Sequence, residues 1–187
     1  MRLSSERLML REFRAADARD VHAYASDPEV VRYTDWGPSN LAQTQERVVA
    51  KAARGVEGDD AYSWAVTIRG EDRVIGSAEV RIASRDHRRA EFGYVFAREV
   101  WGRGLATETA LLLRDTAFGS FGVHRLYATC HPDNAASVRV LEKAGLQLEG
   151  RLRDHLWVRD AWRDSLLFAA VSSGPSGIRA FDVSAGQ

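Results

Sequence analysis

The stretch Val100-Trp101-Gly102-Arg103-Gly104-Leu105-Ala106-Thr107-Glu108 joins a strand-like segment to a helix-like one, and its reading decides the fold. The small residues Gly102, Gly104 and Ala106 let a ligand come close to the main chain, and the first turn of the following helix offers N–H groups with no intrahelical partner. Such a turn is an anion cradle. A dinucleotide fingerprint at this spacing would need its third glycine at Thr107, and a Walker-type phosphate loop lacks its Gly-Lys pair here. Taken alone, the loop specifies an anion and leaves its identity open.

Working outward, residues 62–68 alternate with Trp64, Val66 and Ile68 on one face. A turn follows near Gly70-Glu71-Asp72, then strand patterns over 74–82 and 90–96, which predicts an antiparallel meander feeding the loop. Beyond the loop, Ala106, Ala110, Leu113 and Ala117 recur at i, i+4, i+7 and i+11 as one apolar stripe of a helix that Gly119 and Gly122 terminate. Residues 124–131 read as a strand, 134–143 as a helix with Gly145 just past its end, and 146–171 as a closing pair of strands. Strand, crossover helix and strand make one βαβ unit in an otherwise antiparallel sheet. On the N-terminal side, 7–13 reads as a half-buried first strand. A helix carrying Asp17, Asp20, Val21, Tyr24 and Ala25 stops ahead of Asp27-Pro28, and a second is capped by Asn40 and runs to Gly55, with Gly58-Asp59-Asp60 beyond it. Residues 1–171 thus predict one domain, and 172–187, small and polar, a frayed tail.

Composition bounds the function. A chain of 187 residues with 45% apolar content can bury a core without staples. Twenty-six basic and 26 acidic residues balance to a formal charge of +0, which leaves no global field to gather nucleic acid or an acidic membrane. The single Cys130 cannot form an internal disulfide, the N-terminus has no apolar signal core, and no apolar run approaches bilayer length. These features predict a soluble, cytoplasmic protein.

The combination of Glu91-Phe92-Gly93-Tyr94, Trp101-Gly102-Arg103-Gly104-Leu105-Ala106, His131-Pro132-Asp133-Asn134-Ala135-Ala136-Ser137 and Leu141-Glu142-Lys143-Ala144-Gly145-Leu146, in this order and spacing, resembles the GNAT superfamily of acetyl-coenzyme A dependent N-acetyltransferases. The opening Glu6-Arg7-Leu8-Met9-Leu10-Arg11 and Asp27-Pro28-Glu29-Val30 are similar to its RimJ/RimL subgroup. The resemblance spans residues 5–171. It implies an α/β (α+β) fold: a mixed, mostly antiparallel sheet of about seven strands flanked by four helices, with a β-bulge splaying the fourth strand from the fifth. It further implies that pantetheine lies in that wedge against Tyr94, Val95 and Phe96, and that main-chain N–H groups of Arg103, Gly104, Leu105, Ala106 and Thr107 hold the pyrophosphate. Trp101 stands where the family's phosphate motif has Gln or Arg. Arg98, Arg103 and Arg139 are candidates for the outer phosphates. Asn134, a favoured helix cap, would touch pantetheine, and Ser137 would sit near the thioester sulfur as a proton donor.

Amide formation needs a neutral amine, so some group must accept a proton. Glu91 is the first candidate. By alternation it shares a face with Gly93 and Val95, opposite Phe92, Tyr94 and Phe96. Glu79, Asp154 and His155 are the alternatives. Leu156 stands where RimL-like enzymes carry a proposed general-base glutamate, and Leu141 where other members carry an acidic tyrosine. Neighbours on a strand point to opposite faces, so Cys130 and His131 do not make a nucleophilic pair and Cys130 reads as a buried structural cysteine. The histidines show no metal-ligand spacing, so no metal is expected. Trp36 reads as an acceptor wall or packing anchor, and Trp101, Trp157 and Trp162 as core or interface aromatics. The sequence therefore predicts an acetyl-CoA-dependent N-acetyltransferase acting by direct attack in a ternary complex. A peptide or protein N-terminus is the first acceptor. A small amine, to which His87-Arg88-Arg89-Ala90-Glu91-Phe92 points through its resemblance to spermidine acetyltransferases, is the second. A coenzyme A sensor without catalysis is the competing class, and a homodimer stays open.

Overall fold

The computed structural model describes residues 1–55, 57, 58 and 60–172, and its period-two segments pair into one sheet. The strands are β1 (Leu3–Ser4), β2 (Leu8–Arg11), β3 (Glu57–Gly58), β4 (Ala61–Ile68), β5 (Val74–Ser84), β6 (Arg89–Phe96), β7 (Arg125–Cys130), β8 (Gln147–Val158) and β9 (Ala161–Val171). Their spatial order is β1-β2-β4-β5-β6-β7-β9-β8, with β3 paired to β4. The α-helices are α1 (Ala18–Ala25), α2 (Leu41–Arg54), α3 (Leu105–Gly119) and α4 (Ala135–Lys143). The predicted seven strands and four helices are all present. The two additional strands, β1 and β3, are two residues long, too short for any alternation to announce them. The tail expected over 172–187 lies outside the described residues except for Ser172. Among the described residues no helix is long and apolar enough to cross a membrane.

Local chemistry sets the helix ends. Asn40 Oδ1 accepts from Gln43 N at 2.9 Å while Gln43 Oε1 accepts from Asn40 N at 3.0 Å, a reciprocal capping box that starts α2. Asn134 caps α4 by accepting from Ser137 N at 3.1 Å, as expected of it. The apolar stripe of α3 holds at Ala110, Leu113 and Ala117 and departs from its sequence reading at Ala106. Leu105, Thr109, Ala110, Leu113, Thr116 and Ala117 are buried, whereas Ala106 is only half-buried and lines a cleft. Two threonines thus occupy core-facing positions, and one of them, Thr116, satisfies its hydroxyl on Leu112 O at 2.8 Å. Trp64, Leu8, Leu10, Leu113, Leu126, Leu141 and Phe168, each at most 1% exposed, form the centre of the core. Burying one such side chain stabilises the fold by roughly 1.5–3 kcal/mol.

The parallel pair β6 and β7, joined through α3, sets the site. Pairing runs Arg89↔Arg125, Ala90↔Leu126 and Glu91↔Tyr127, then stops, although β6 continues to Phe96 and β7 to Cys130. Residues 92–96 are therefore paired on the β5 side alone. The expected splay is present, but its expected cause is not. From Gly76↔Phe96 to Ile82↔Ala90 the β5–β6 register has no shift; the irregularity lies further back, between Ile82 and Ser84. The two strands diverge with their outer register intact.

Candidate active site

Three elements converge on the opening between β6 and β7: the loop into α3, the N-terminus of α4, and the 30–36 segment after α1. They line a cleft of about 1600 Å³. At its outer end the chain turns through Gly102 (φ 74°) and Gly104 (φ 77°), left-handed conformations in which L side chains are strained. Gly104 is the N-cap of α3 and brings no side-chain cap, so the first N–H groups of the helix face the cleft mouth unclaimed. Gly104, Leu105, Ala106 and Thr107 all line the cleft; the exposed Arg103 side chain does not. Arg98 and Arg139 are exposed, and of the two only Arg139 lines the cleft.

Sequence reasoning missed what holds this loop. Arg7, at the start of β2, donates to Arg103 O at 2.9 Å and from Nε to Glu108 Oε2 at 2.7 Å. Glu108 also accepts from Ser5 Oγ at 2.6 Å and from Arg7 N at 2.9 Å. Burial pushes the Glu108 carboxyl up, but the bonds from Ser5 and Arg7 outweigh it and hold the group below the usual glutamate range. The loop is thus tied to the opposite end of the chain, and no local pattern announces it.

Inside the wedge, alternation holds as predicted. The Tyr94 hydroxyl shares a hydrogen bond with Ser137 Oγ at 3.1 Å, whereas Glu91 lies on the other face of β6, half-buried and ion-paired with Arg81. Burial pushes the Tyr94 phenol up to about 12, against the bond from Ser137, so it stays protonated at neutral pH. Burial likewise pushes the Cys130 thiol up to about 11, again opposed by Ser137, which disfavours a reactive thiolate. His131 accepts from Asp133 N at 3.1 Å and stacks on Tyr33 at 5.0 Å. Cys130 is therefore the buried cysteine the sequence implied, and its hydroxyl neighbour is Ser137.

On the Glu91 face, Gly93 pairs with Glu79 across β5, and a Cβ at Gly93 would meet nothing within 4 Å. Glu79 accepts from Ser63 Oγ at 2.7 Å and from Lys51 Nζ at 3.4 Å. Both carboxylates flank open space, and each has a cation beside it. Across the wedge the β8–β9 register slips between Leu152 and Leu156; Asp154 N donates to Asp164, and His155 Nδ1 lies 3.0 Å from Ser165 Oγ. His155 and Leu156 line the cleft, while Asp154 does not. Leu141, where a tyrosine was sought, is 1% exposed and belongs to the core. Trp36 lines the cleft under the Arg47 guanidinium, 5.2 Å from the ring centroid. Trp101, Trp157 and Trp162 are 48%, 57% and 59% exposed, which corrects the core half of their reading as core or interface aromatics. Trp101 instead donates from Nε1 to Phe96 O at 2.9 Å, bracing the end of β6 against the loop into α3.

Residues 7–147 match the family model of the acetyltransferase (GNAT) domain. The chain is 31% identical over 176 residues to p20 of Bacillus licheniformis, an uncharacterized N-acetyltransferase, covering 94% of this chain and 98% of that one. It is 26% identical over 171 residues to the spermidine N(1)-acetyltransferase of Escherichia coli K12, covering 87% and 85%. A structure of RimJ from Mycobacterium smegmatis in complex with CoA-disulfide superposes with a TM-score of 0.74 at 25% identity, covering 88% of this chain and 82% of that one.

Proposed function

This chain belongs to the GNAT acetyltransferase family and is an acyltransferase, and we propose that it moves the acetyl group of acetyl-CoA to a primary amine, a peptide or protein N-terminus. The observation that carries this reading is the parting of β6 from β7 just past Glu91↔Tyr127, with an uncapped helix N-terminus at one end and the Tyr94–Ser137 pair inside. A strand edge left open over residues 92–96 fits the amide-bearing pantetheine arm. The left-handed Gly104 fits a close approach of phosphate to the main chain.

In this reading acetyl-CoA supplies the acetyl thioester, and the chain does the rest. The N–H groups of Arg103, Gly104, Leu105, Ala106 and Thr107 hold the pyrophosphate, the main chain of Tyr94, Val95 and Phe96 aligns the arm, and Asn134 touches it. Glu91, facing the open space over Gly93, accepts the ammonium proton. Ser137 protonates the leaving thiolate. Both hydroxyls are weaker acids than a thiol, Ser137 more so than the Tyr94 phenol at about 12, so Ser137 gives up its proton only as it takes one from Tyr94, which solvent restores.

The charge of the cleft supports a peptide over a polyamine. A polyamine brings at least two positive charges, yet Glu79 is already beside Lys51 and Glu91 beside Arg81. The spermidine acetyltransferase relative keeps the small-amine reading as the second. The test mixes purified protein and acetyl-CoA with peptides bearing N-terminal alanine or serine and, separately, with spermidine, and follows thiol release. Preferred turnover of peptides supports the reading. Preference for spermidine installs the second reading, and tight CoA binding without turnover of any amine installs the sensor.

A further inference from the structure

Residues 158–161 close the β8–β9 hairpin through Arg159 (φ 52°) and Asp160 (φ 58°), both left-handed. A two-residue turn of this kind favours asparagine or glycine, so an arginine here is held at a backbone cost. Its side chain shows what offsets that cost. The guanidinium reaches the segment after α1, more than 120 residues earlier, and finds four main-chain carbonyls. Nη2 donates to Val31 O at 3.0 Å, Trp36 O at 3.1 Å and Gly37 O at 2.9 Å; Nε donates to Gly37 O at 3.3 Å, and Nη1 to Thr34 O at 3.4 Å. Residues 31–37 coil so that these oxygens converge on one point, with Thr34 Oγ1 bonding two of them at 3.0 and 2.5 Å. Four carbonyl dipoles aimed at one centre need a cation, and the planar fork of arginine supplies donors to all of them. Arg163 adds a weaker tether, donating to Arg32 O at 3.4 Å.

Both tethered elements line the cleft: Arg32, Tyr33, Thr34, Asp35 and Trp36 from the segment, and Leu156 and Val158 from the hairpin. We propose that Arg159 is a specificity-determining positioning residue: by clamping residues 31–37 onto the β8–β9 hairpin it fixes the acceptor wall of the cleft, and so decides which amine reaches the reacting carbonyl without touching it. The proposal rests on the acyl-transfer reading above.

Two variants test it. Arg159→Ala removes the fork. Arg159→Gly removes it while relieving the left-handed backbone, so it keeps the turn even if the alanine variant folds poorly. Peptide and spermidine kinetics, CoA titration and hydrogen exchange are measured on the full chain. The expected result is faster exchange across 31–37, a KM for the preferred amine raised about tenfold or more, as loss of substrate positioning produces, and a narrowed ratio of kcat/KM between peptide and spermidine. CoA affinity stays as in the wild type, and Arg159→Lys, a cation without the fork, restores little. Faster exchange with unchanged KM and unchanged ratio would show a purely structural staple and overturn the proposal. Unchanged exchange, or parallel loss of CoA affinity, overturns it as well. A wild-type protein that turns over neither probe refutes the peptide and polyamine acceptor readings on which the proposal rests, and the proposal falls with them.

Discussion

Replacing Gly104 with valine tests the phosphate cradle directly. Gly104 sits at φ 77°, and an L residue held in that region carries roughly 1–3 kcal/mol of strain. At this chain length each kcal/mol moves Tm by about 2–4 °C, so the variant should melt roughly 2–12 °C lower and still fold. Space around the residue is not the obstacle in the free protein, because a Cβ there would meet only Arg7 Nη2, at 3.6 Å. The obstacle arises when phosphate approaches the first N–H groups of α3. Losing one or two charge-assisted hydrogen bonds at about 1.5–3 kcal/mol each weakens CoA by roughly tenfold to a hundredfold per bond. Gly104→Ala shares the backbone strain with far less bulk, and Gly102→Ala places a Cβ in open space at φ 74°. Calorimetric titration of CoA, read beside thermal melts, separates the effects: melting drops in all three, but affinity collapses only for valine at 104. Wild-type affinity in Gly104→Val would show that the pyrophosphate lies elsewhere.

Glu91→Gln is expected to lower kcat at least about tenfold, in line with loss of a general base, with CoA affinity unchanged; wild-type turnover would move the base to Glu79, His155 or a water chain. Ser137→Ala should reduce kcat more than Tyr94→Phe does, since the phenol acts through Ser137, and the reverse order in steady-state rates would make Tyr94 the donor. Glu108 is held below the glutamate range in the folded state, so the stability it contributes is present above about pH 4.3 and is lost as pH falls through the lowered folded value. Glu108→Gln should therefore flatten the acid limb of a Tm-against-pH curve, and an unchanged limb counts against the Ser5–Arg7–Glu108 knot. Gly76→Ala would place a Cβ 2.4 Å from Val95 O, so it should push β6 away from β5 and cost more stability than Gly102→Ala; equal melting temperatures would refute that close approach.

Elements written in a single local pattern were legible. The Asn40/Gln43 capping box, the meander from residue 61 to 96 and the α3 entry all follow from neighbours within a few positions, and all are present. On α3 the stripe holds at Ala110, Leu113 and Ala117 and departs only at Ala106, because packing against the sheet also selects Leu105, Thr109 and Thr116, which a count started at Ala106 passes over. The core half of the reading of Trp157 and Trp162 fails for a related reason: size predicts large buried area on average, but β8 is an edge strand and the pair meets edge-on at 5.2 Å near solvent.

The site was legible on each strand and not between elements. Alternation placed Glu91 opposite Tyr94, and capping placed Asn134 and Ser137, without any knowledge of the fold. That Tyr94 would reach Ser137 depends on where α4 lands over the wedge, a consequence of the β9 insertion between β7 and β8. The two arginines that shape the cleft were the least visible of all. Arg7 reads the carbonyl of Arg103 in the loop into α3, and Arg159 reads four carbonyls of residues 31–37. The acceptors of Arg159 are main-chain oxygens, which every residue type carries, so no partner residue betrays it, and the one side-chain acceptor of Arg7, Glu108, lies 101 positions away. An exposed arginine is ordinarily solvated, and exposure alone gives these two that appearance. What distinguishes them is that each closes the backbone polar groups of a loop that borders the cleft, so that two of its walls are each held from a distant part of the chain.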